Sequence, residues 1–410
     1  MTTLGDDPRV SQILSELRAL LTVAERTAWT RSEALAIVET LRIGVPPATG
    51  ALALTVGREA MLAHLSQDLI RVGDGKPRLI FVVGDYGTGK THILRVLQEY
   101  AQRHSFATAL VELSRRECPL HDLSLLYQKV VQNLEVRLDG AASNLESLLS
   151  HWASRIRHLA QHDRPAALSR LTLLHHDLQA ALTSYFCEEA GASSLRTRRS
   201  IEWLMGATLS ARERAAIGVS SDICERNAIQ LLGSLGLMMR EAGLQGMVLL
   251  LDEVDPTLSF AQPSHGVRAA RNLRSLIRSV GSFPHCCILY SVPPTFFGHA
   301  GPTAGLGLSP DTLVELQPLG VADLVTLARK IRDLHLIGYA WEDAWRVRDS
   351  EIRGLATSLL EDQSLRSSVR AFVRAIVGVL DVCQEHREQT ATSVAKALAQ
   401  SPTLARLHGP

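Results

Sequence analysis

A glycine-rich octapeptide, Gly84-Asp85-Tyr86-Gly87-Thr88-Gly89-Lys90-Thr91, contains residue types that suit phosphate chemistry. It fits the pattern G-x-x-x-x-G-K-[ST], in which glycines let consecutive backbone N–H groups converge on phosphate oxygens. The ammonium group of Lys90 can reach the outer phosphates as a point charge, and the hydroxyl of Thr91 can ligate Mg²⁺. The pattern therefore predicts a nucleotide-binding loop whose cofactors are ATP and Mg²⁺.

Two carboxylates, Asp252 and Glu253, directly follow the apolar run at 247–251. Such a run predicts a buried strand, and ligands of open α/β sheets bind at the carboxyl ends of strands. We expect Asp252 to hold the magnesium ion through its water shell. We expect Glu253 to polarise the water that attacks the γ-phosphate, so that ATP hydrolysis is the leading chemistry.

Other polar residues have both a functional and a structural interpretation. Ser291, just after the apolar run at 286–290, is either a sensor of the γ-phosphate or a plain strand-end serine. Arg370 and Arg374, four residues apart near the end of the chain, either reach the phosphates or lie on the surface.

Four arginines are spaced by three, three and four residues, which places them on one face of a helix. Arg271 is the candidate arginine finger for a neighbouring subunit's nucleotide. Contact with DNA phosphates and a solvated helix face are the alternatives. The four are Arg268, Arg271, Arg274 and Arg278. A second cluster, predicted to lie in an exposed loop, is Arg196, Arg198 and Arg199.

The elements that must position these residues alternate between strands and helices. Helical periodicity predicts two helices within 10–42 and further helices at 59–72 and 90–103. The region 122–241 has an almost entirely helical composition, and the chain after 319 is helical to its end. Short apolar runs predict strands of a parallel sheet at 79–83, 107–113, 247–251 and 286–290.

Composition excludes several classes of protein. The chain has 410 residues and a net charge of +1, so any contact with DNA must be local. Its apolar runs are far shorter than the ~20 residues of a membrane helix, and its six cysteines form no CxxC pair. We therefore expect a cytoplasmic globular protein with no membrane partner. Only five basic residues are lysines, which makes a lysine at position 90 informative.

The order of several motifs resembles the AAA+ superfamily of P-loop ATPases. These motifs are Val56-Gly57-Arg58-Glu59, the phosphate loop, the strand that ends in Asp252-Glu253, the strand before Ser291, and Leu316-Gln317-Pro318-Leu319. The Gly57-Arg58-Glu59 box resembles the origin-recognition and STAND-like branch. That resemblance implies that Gly57 and Arg58 lie beside the adenine.

Three segments are similar to the ATP-binding proteins of bacteriophage-exclusion (BREX) systems, of the BrxD type. The segments are Gly84 to His92, Cys118-Pro119-Leu120-His121, and Leu249 to Val254. The resemblance covers about residues 35–386 and implies that His92 belongs to the nucleotide-binding motif. It also implies a DNA-linked ATPase in antiphage defence, with self-association, a protein partner such as a helicase, and possible contact with double-stranded DNA.

The chain departs from the family pattern at three points. A separation of 162 positions between Lys90 and Asp252 indicates a large helical insertion. The sequence Ser291-Val292-Pro293-Pro294 stands where Gly-Thr-Pro is expected, and Val369 precedes Arg370 where proline is expected.

The fold expected from these observations is an α/β, AAA+ P-loop core with a parallel sheet and a helical lid. We divide the chain into an amino-terminal helical segment (1–50), an ATPase core (51–320) with a helical insertion at about 122–241, and a carboxy-terminal helical lid domain (321–410). The rival function is a nucleotide-gated switch, or an adaptor or loader that recruits a nuclease or helicase with little turnover.

Overall fold

The computed structural model describes most of the chain. The described ranges are 29–114, 120–159, 169–186, 195–253, 263–297, 308–341, 347–361 and 368–386, with the single positions 15, 118 and 162. The side chains of residues 253 and 263–265 lie outside this description. The first of the two helices predicted within 10–42 also falls outside the described residues.

Helices and strands alternate through the described chain. The helices are α1 (Arg31–Arg42), α2 (Glu59–Gly73), α3 (Lys90–Arg103), α4 (Leu123–Gln132), α5 (Leu145–His158), α6 (His176–Phe186), α7 (Leu195–Leu204), α8 (Ala211–Ile217), α9 (Ala228–Glu241), α10 (Pro263–Ser279), α11 (Val321–Tyr339), α12 (Asp349–Glu361) and α13 (Val369–Glu385). The strands are β1 (Arg78–Val83), β2 (Phe106–Leu113), β3 (Leu134–Leu138), β4 (Ala141–Ser143), β5 (Gly246–Glu253), β6 (Cys286–Val292) and β7 (Leu313–Glu315). Among the described residues, none of the helices combines the length and the apolar character that crossing a membrane requires.

The strands form one sheet in the order β4-β3-β2-β5-β6-β1-β7. Strand β5 is parallel to both of its neighbours, β2 and β6, and every residue of β6 is buried. Burial on both faces explains the continuous apolar runs in the sequence. The predicted α/β class and the four predicted strands are therefore confirmed.

The prediction that 122–241 is almost entirely helical is wrong at one place. Strands β3 and β4 form a hairpin there, and β3 pairs antiparallel with β2, so the sheet is mixed. Leu138 pairs with Ala141 around a two-residue turn, Asp139-Gly140, in which both φ angles are positive. Buried and exposed residues alternate along most of β3, which is the period of a strand. The leucine-rich composition of the region masks this short alternation.

Two smaller predictions also need correction. The edge strand β7 lies beside β1 in the sheet, in a segment where no strand is predicted. Arg198 and Arg199 belong to helix α7, not to a loop, and both pair with Glu202. Opposite charges three and four residues apart stabilise a helix, which explains why this arginine-rich segment is helical.

The described residues divide into two compact units. One draws its residues from Met1–Gln67, Val83–Glu99 and Glu315–Pro410, and the other from Asp68–Val82 and Tyr100–Val314. In the first unit, helix α1 shares a hydrophobic core with α11, α12 and α13. The sheet strands β2 to β6 belong to the second unit. The proposed domain boundaries at residues 50 and 320 stay a prediction.

Asp381 joins three helices of the first unit. Its carboxylate accepts hydrogen bonds from Nε and Nη2 of Arg42 in α1, each at 2.9 Å, and is 3.0 Å from Nε2 of His335 in α11. Burial raises the pKa of Asp381, but the hydrogen bonds from His335 and Arg42 outweigh it and lower the pKa overall. This network holds helix α1 against helices α11 and α13.

Replacement of Asp381 by asparagine should lower the free energy of unfolding by about 1–3 kcal/mol, because charged hydrogen bonds are lost. The control Asp349→Asn, at the exposed pairs with Arg329 and Arg332, should cost less than about 1 kcal/mol. Urea denaturation followed by circular dichroism at pH 7 measures both. The pKa of Asp381 is lowered in the fold, so its contribution is full above the carboxyl's ordinary pKa and decreases as the pH falls below about 4. Equal effects of the two variants would contradict this role.

Candidate functional site

The predicted phosphate loop lies between strand β1 and helix α3. Gly87 and Gly89 adopt φ angles of +82° and +100°, which other residues rarely adopt. A Cβ atom on Gly84 would lie 2.6 Å from Oγ1 of Thr88, so this position too accepts only glycine without rearrangement. The three glycines therefore allow the tight turn that a phosphate-binding loop requires.

Lys90 begins helix α3 and its side chain folds back over the loop. Its Nζ atom donates hydrogen bonds to the carbonyl oxygens of Gly84, at 2.8 Å, and Asp85, at 2.9 Å. The hydroxyl of Thr88 donates to the same Asp85 carbonyl at 2.8 Å. These bonds hold a compact positive charge at the loop, beside the amino terminus of an α-helix, where phosphate groups bind favourably.

The carboxy-terminal helix α13 begins directly against this loop. The amide of Val369 donates a hydrogen bond to the carbonyl oxygen of Gly87 at 3.0 Å. A Cβ atom on Gly87 would lie 2.9 Å from Oγ of Ser368 and 3.2 Å from its Cα atom. Ser368 in turn caps the helix by accepting from the amide of Ala371. Glycine at position 87 is therefore required both by its φ angle and by this close approach.

Arg370 reaches the loop from the first turn of α13. Its Nη1 atom donates to the hydroxyl of Tyr86 at 2.6 Å, and its guanidinium carbon lies 5.2 Å from the centre of the Tyr86 ring. Arg374 lies one turn further along. A Cβ atom on Gly44 would meet the side chains of both arginines at 2.7–2.9 Å. Arg370 therefore lies beside the phosphate loop, whereas contact of Arg370 or Arg374 with phosphate groups stays a prediction.

The Gly57-Arg58 box packs against helix α11. Gly57 has a φ of +62°, and a Cβ atom there would lie 2.9 Å from Cγ of Asp323. Asp323 also accepts a hydrogen bond from the amide of Gly320 at 3.1 Å. Burial lowers the pKa of Arg58, while the charge of Asp323 opposes that shift.

His92, the residue after Thr91, contacts the segment just before this box. The Thr55 hydroxyl donates to the carbonyl of Ala51 at 3.0 Å and lies 3.1 Å from Nε2 of His92. The single hydrogen of that hydroxyl is used in the bond to Ala51. Nε2 of His92 must therefore carry the imidazole hydrogen and donate a hydrogen bond to the Thr55 oxygen. Burial lowers the pKa of His92 to about 4, and the positive charges of Arg58 and Lys330 add to the effect. The imidazole is therefore neutral at pH 7.

Lys330 in α11 binds the same segment. Its Nζ atom donates to the carbonyl oxygens of Ala53, at 2.8 Å, and Thr55, at 2.9 Å, and burial lowers its pKa. Helices α3 and α11 therefore both bind the segment just before the Gly57-Arg58 box, within one unit. No sequence motif marks Thr55, Asp323 or Ser368 as residues of the site. The rarity of lysine in this chain is a signal that applies to Lys330 as well as to Lys90, although only Lys90 lies in a recognised motif.

Asp252 and Ser291 lie opposite each other in the other unit. They are paired residues of the parallel strands β5 and β6, and the Ser291 hydroxyl donates a hydrogen bond to Oδ1 of Asp252. Only 8% of Asp252 and none of Ser291 is exposed. The arrangement holds the carboxylate in one orientation. Glu253 ends β5, but its side chain lies outside the described residues, so its role stays a prediction.

The arginine face of helix α10 divides into paired and exposed members. Arg268 pairs with Glu225, with Nε to Oε1 at 2.9 Å. Arg271 and Arg278 are exposed, Arg274 is partly buried, and Leu273 and Leu276 are buried on the other face. The predicted stripe therefore exists on the surface, and its use by a neighbouring nucleotide or by DNA stays a proposal.

A family model described as BREX system ATP-binding protein BrxC/D matches residues 30–308 and 308–398. The matched segments include the phosphate loop, Asp252, Ser291 and Arg370. No curated protein matches the chain significantly.

Replacement of Gly87 by alanine tests the close contact between loop and lid. Gly140, in the turn between β3 and β4, is a matched control because its φ is +83° and nothing lies within 4 Å of its Cβ position. Both variants should lose about 1–2 kcal/mol of stability from backbone strain. Only Gly87→Ala should weaken binding of a fluorescent ATP analogue, by roughly tenfold or more, a change of about 1.4 kcal/mol in binding free energy. Unchanged nucleotide affinity in Gly87→Ala would show that the loop does not need this glycine.

Proposed function

Because the chain belongs to the family of BREX system ATP-binding proteins BrxC/D, we propose that it is a Mg²⁺-dependent AAA+ ATPase of antiphage defence. The observation that carries this proposal is the glycine-built phosphate loop with Lys90 folded over it and the lid helix α13 bonded to it. Self-association and a defence partner such as a helicase belong to the same proposal.

The phosphate loop and its helix supply positioning and charge. The glycines at 84, 87 and 89 allow backbone N–H groups to bind phosphate oxygens without a side chain in the way. Lys90 adds a compact charge that can move from the loop carbonyls to the outer phosphates. The His92 imidazole remains neutral and holds the Thr55 segment, on which the Gly57-Arg58 box depends for its position beside the base.

The metal ligands in this proposal are the hydroxyl of Thr91 and the carboxylate of Asp252. When bound with the nucleotide, Mg²⁺ neutralises charge on the phosphate oxygens. Ser291 orients Asp252 through its hydrogen bond, which is the role that the observed contact supports. Glu253 accepts a proton from the attacking water, as the base next to the metal carboxylate.

The variant Glu253→Gln separates binding from hydrolysis. The amide keeps the size of the side chain but removes the base, so turnover should fall by about 10²–10⁴-fold while ATP affinity is retained. Lys90→Ala should lose both ATP binding and turnover. Phosphate release and calorimetric ATP binding are the two measurements. A Glu253→Gln protein that hydrolyses ATP at the normal rate would refute the proposed base. Negligible turnover of the wild type with tight Mg-ATP binding would favour the nucleotide-gated switch.

The exposed arginines of α10 support the DNA link. Several arginines elsewhere in the described chain form an ion pair with a carboxylate, and so does Arg268 in α10. The others are Arg71, Arg198, Arg214 and Arg329. Within the described residues no carboxylate pairs with Arg271 or Arg278, and the sequence of α10 contains no acidic residue. Seven residues of helix separate the two, a distance of about 10 Å. Such a surface suits the regular negative charge of a nucleic-acid backbone.

Loss of both charges tests this surface. The α10 variant replaces both Arg271 and Arg278 by glutamine, and its binding to a labelled DNA duplex is measured by fluorescence anisotropy. The slope of log K against the logarithm of the salt concentration should become less steep by up to about 2, because each lost phosphate contact contributes ~0.9 to that slope. The control removes two exposed arginines of other helices, Arg212 and Arg353.

The competing role of Arg271 predicts a different result. If Arg271 acts as a finger on a neighbouring copy's nucleotide, the α10 variant loses ATP turnover and keeps the duplex affinity of the wild type. Equal losses of duplex affinity in the α10 variant and the control would refute the proposal that α10 forms the DNA-binding surface.

A further inference from the structure

Tyr86 is the most exposed large apolar side chain among the described residues, with 71% of its surface accessible. It lies in the middle of the phosphate loop, at a position where the loop pattern places no demand on residue type. A large exposed ring at this point contributes little to the core, so stability of the fold does not account for it.

Two different interactions join Tyr86 to Arg370. The Tyr86 hydroxyl accepts a hydrogen bond from Nη1 at 2.6 Å, and the guanidinium carbon lies 5.2 Å from the ring centre. That distance is within the range of a cation–π interaction. The ring and the hydroxyl therefore bind the same cation by independent means.

The rest of the Arg370 side chain is also restrained. The hydrogen bond from Val369 to Gly87 fixes the start of α13 at the loop, one residue before Arg370. Gly44 leaves room for the side-chain stem, because a Cβ atom there would lie 2.7 Å from Cγ of Arg370. The Arg370 backbone and guanidinium are thus each held by a contact with the phosphate loop, and its side-chain stem packs beside Gly44.

A guanidinium group has five N–H donors in a planar fork. One bond to the Tyr86 hydroxyl leaves enough donors for a phosphate group, which arginine binds with two parallel hydrogen bonds. An arginine that is already ordered at the phosphate loop binds such a group with a smaller loss of side-chain entropy.

We propose that Tyr86 is a positioning residue that holds Arg370 for the terminal phosphate of a nucleoside triphosphate, and thereby sets the preference of the site for triphosphate over diphosphate. This inference rests on the proposed function, since it requires that the loop binds a nucleotide. Because Tyr86 orders the flexible Arg370 side chain before binding, it should raise the affinity for the triphosphate about two- to tenfold.

The test is a double-mutant cycle on the full-length protein with Mg²⁺. Calorimetry measures the dissociation constants of ADP and of the non-hydrolysable triphosphate adenylyl imidodiphosphate. Tyr86→Ala should weaken triphosphate binding about two- to tenfold and leave ADP binding unchanged. Tyr86→Phe retains the ring without the hydroxyl and should give an intermediate value. In an Arg370→Ala background, Tyr86→Ala should have no further effect. Arg353→Ala, at an exposed arginine of α12, is the control and should leave the ratio of the two constants unchanged.

Three results would overturn the inference. Equal loss of ADP and triphosphate affinity in Tyr86→Ala would mean that the tyrosine only shapes the loop. Additive effects of the two substitutions would mean that Tyr86 does not act through Arg370. Tighter triphosphate binding in Tyr86→Ala would mean that the tyrosine withholds the arginine. A wild-type protein that binds neither nucleotide would refute the proposed function itself, whereas ATP binding with an additive cycle would refute only the role of Tyr86.

Discussion

One backbone hydrogen bond, from the amide of Val369 to the carbonyl of Gly87, places helix α13 against the phosphate loop. It is possible only because residue 87 has no side chain and a positive φ. The hydrophobic core shared by α1, α11, α12 and α13 supports that bond from one side, and Asp381 ties three of those helices together. The phosphate loop, the Gly57-Arg58 box and helix α13 thus belong to one unit, although they come from parts of the chain that are distant in sequence.

The same unit holds the candidate base-binding box. Lys330 and His92 both bind the segment that ends in Thr55, so a displacement of α11 or α3 would move Gly57 and Arg58 as well. In the other unit, Asp252 and Ser291 stand on adjacent strands, and the chain between those strands forms the arginine-bearing helix α10. A proposed metal ligand and a proposed DNA-binding surface are therefore close neighbours along the chain.

The sequence alone predicted those elements that a few neighbouring residues determine. The phosphate loop, the strand that carries Asp252 and the strand that carries Ser291 follow from glycine spacing and continuous apolar runs. The β3–β4 hairpin was missed because its alternation extends over only a few residues within a leucine-rich region. Long-range partners such as Ser368 and Asp323 were missed because their roles depend on contacts with glycines that are distant in sequence. The glycines at 57 and 87 were visible in the motifs, but the neighbours that require them were not.

The most direct test of the proposed ATPase is phosphate release by the purified full-length chain over a range of protein concentrations, with Mg²⁺ or with EDTA. We expect turnover only with Mg²⁺, and a specific activity that rises with protein concentration, because the proposed function includes self-association that completes each nucleotide site between subunits. Absence of turnover at every concentration, or turnover that persists in EDTA, would contradict it.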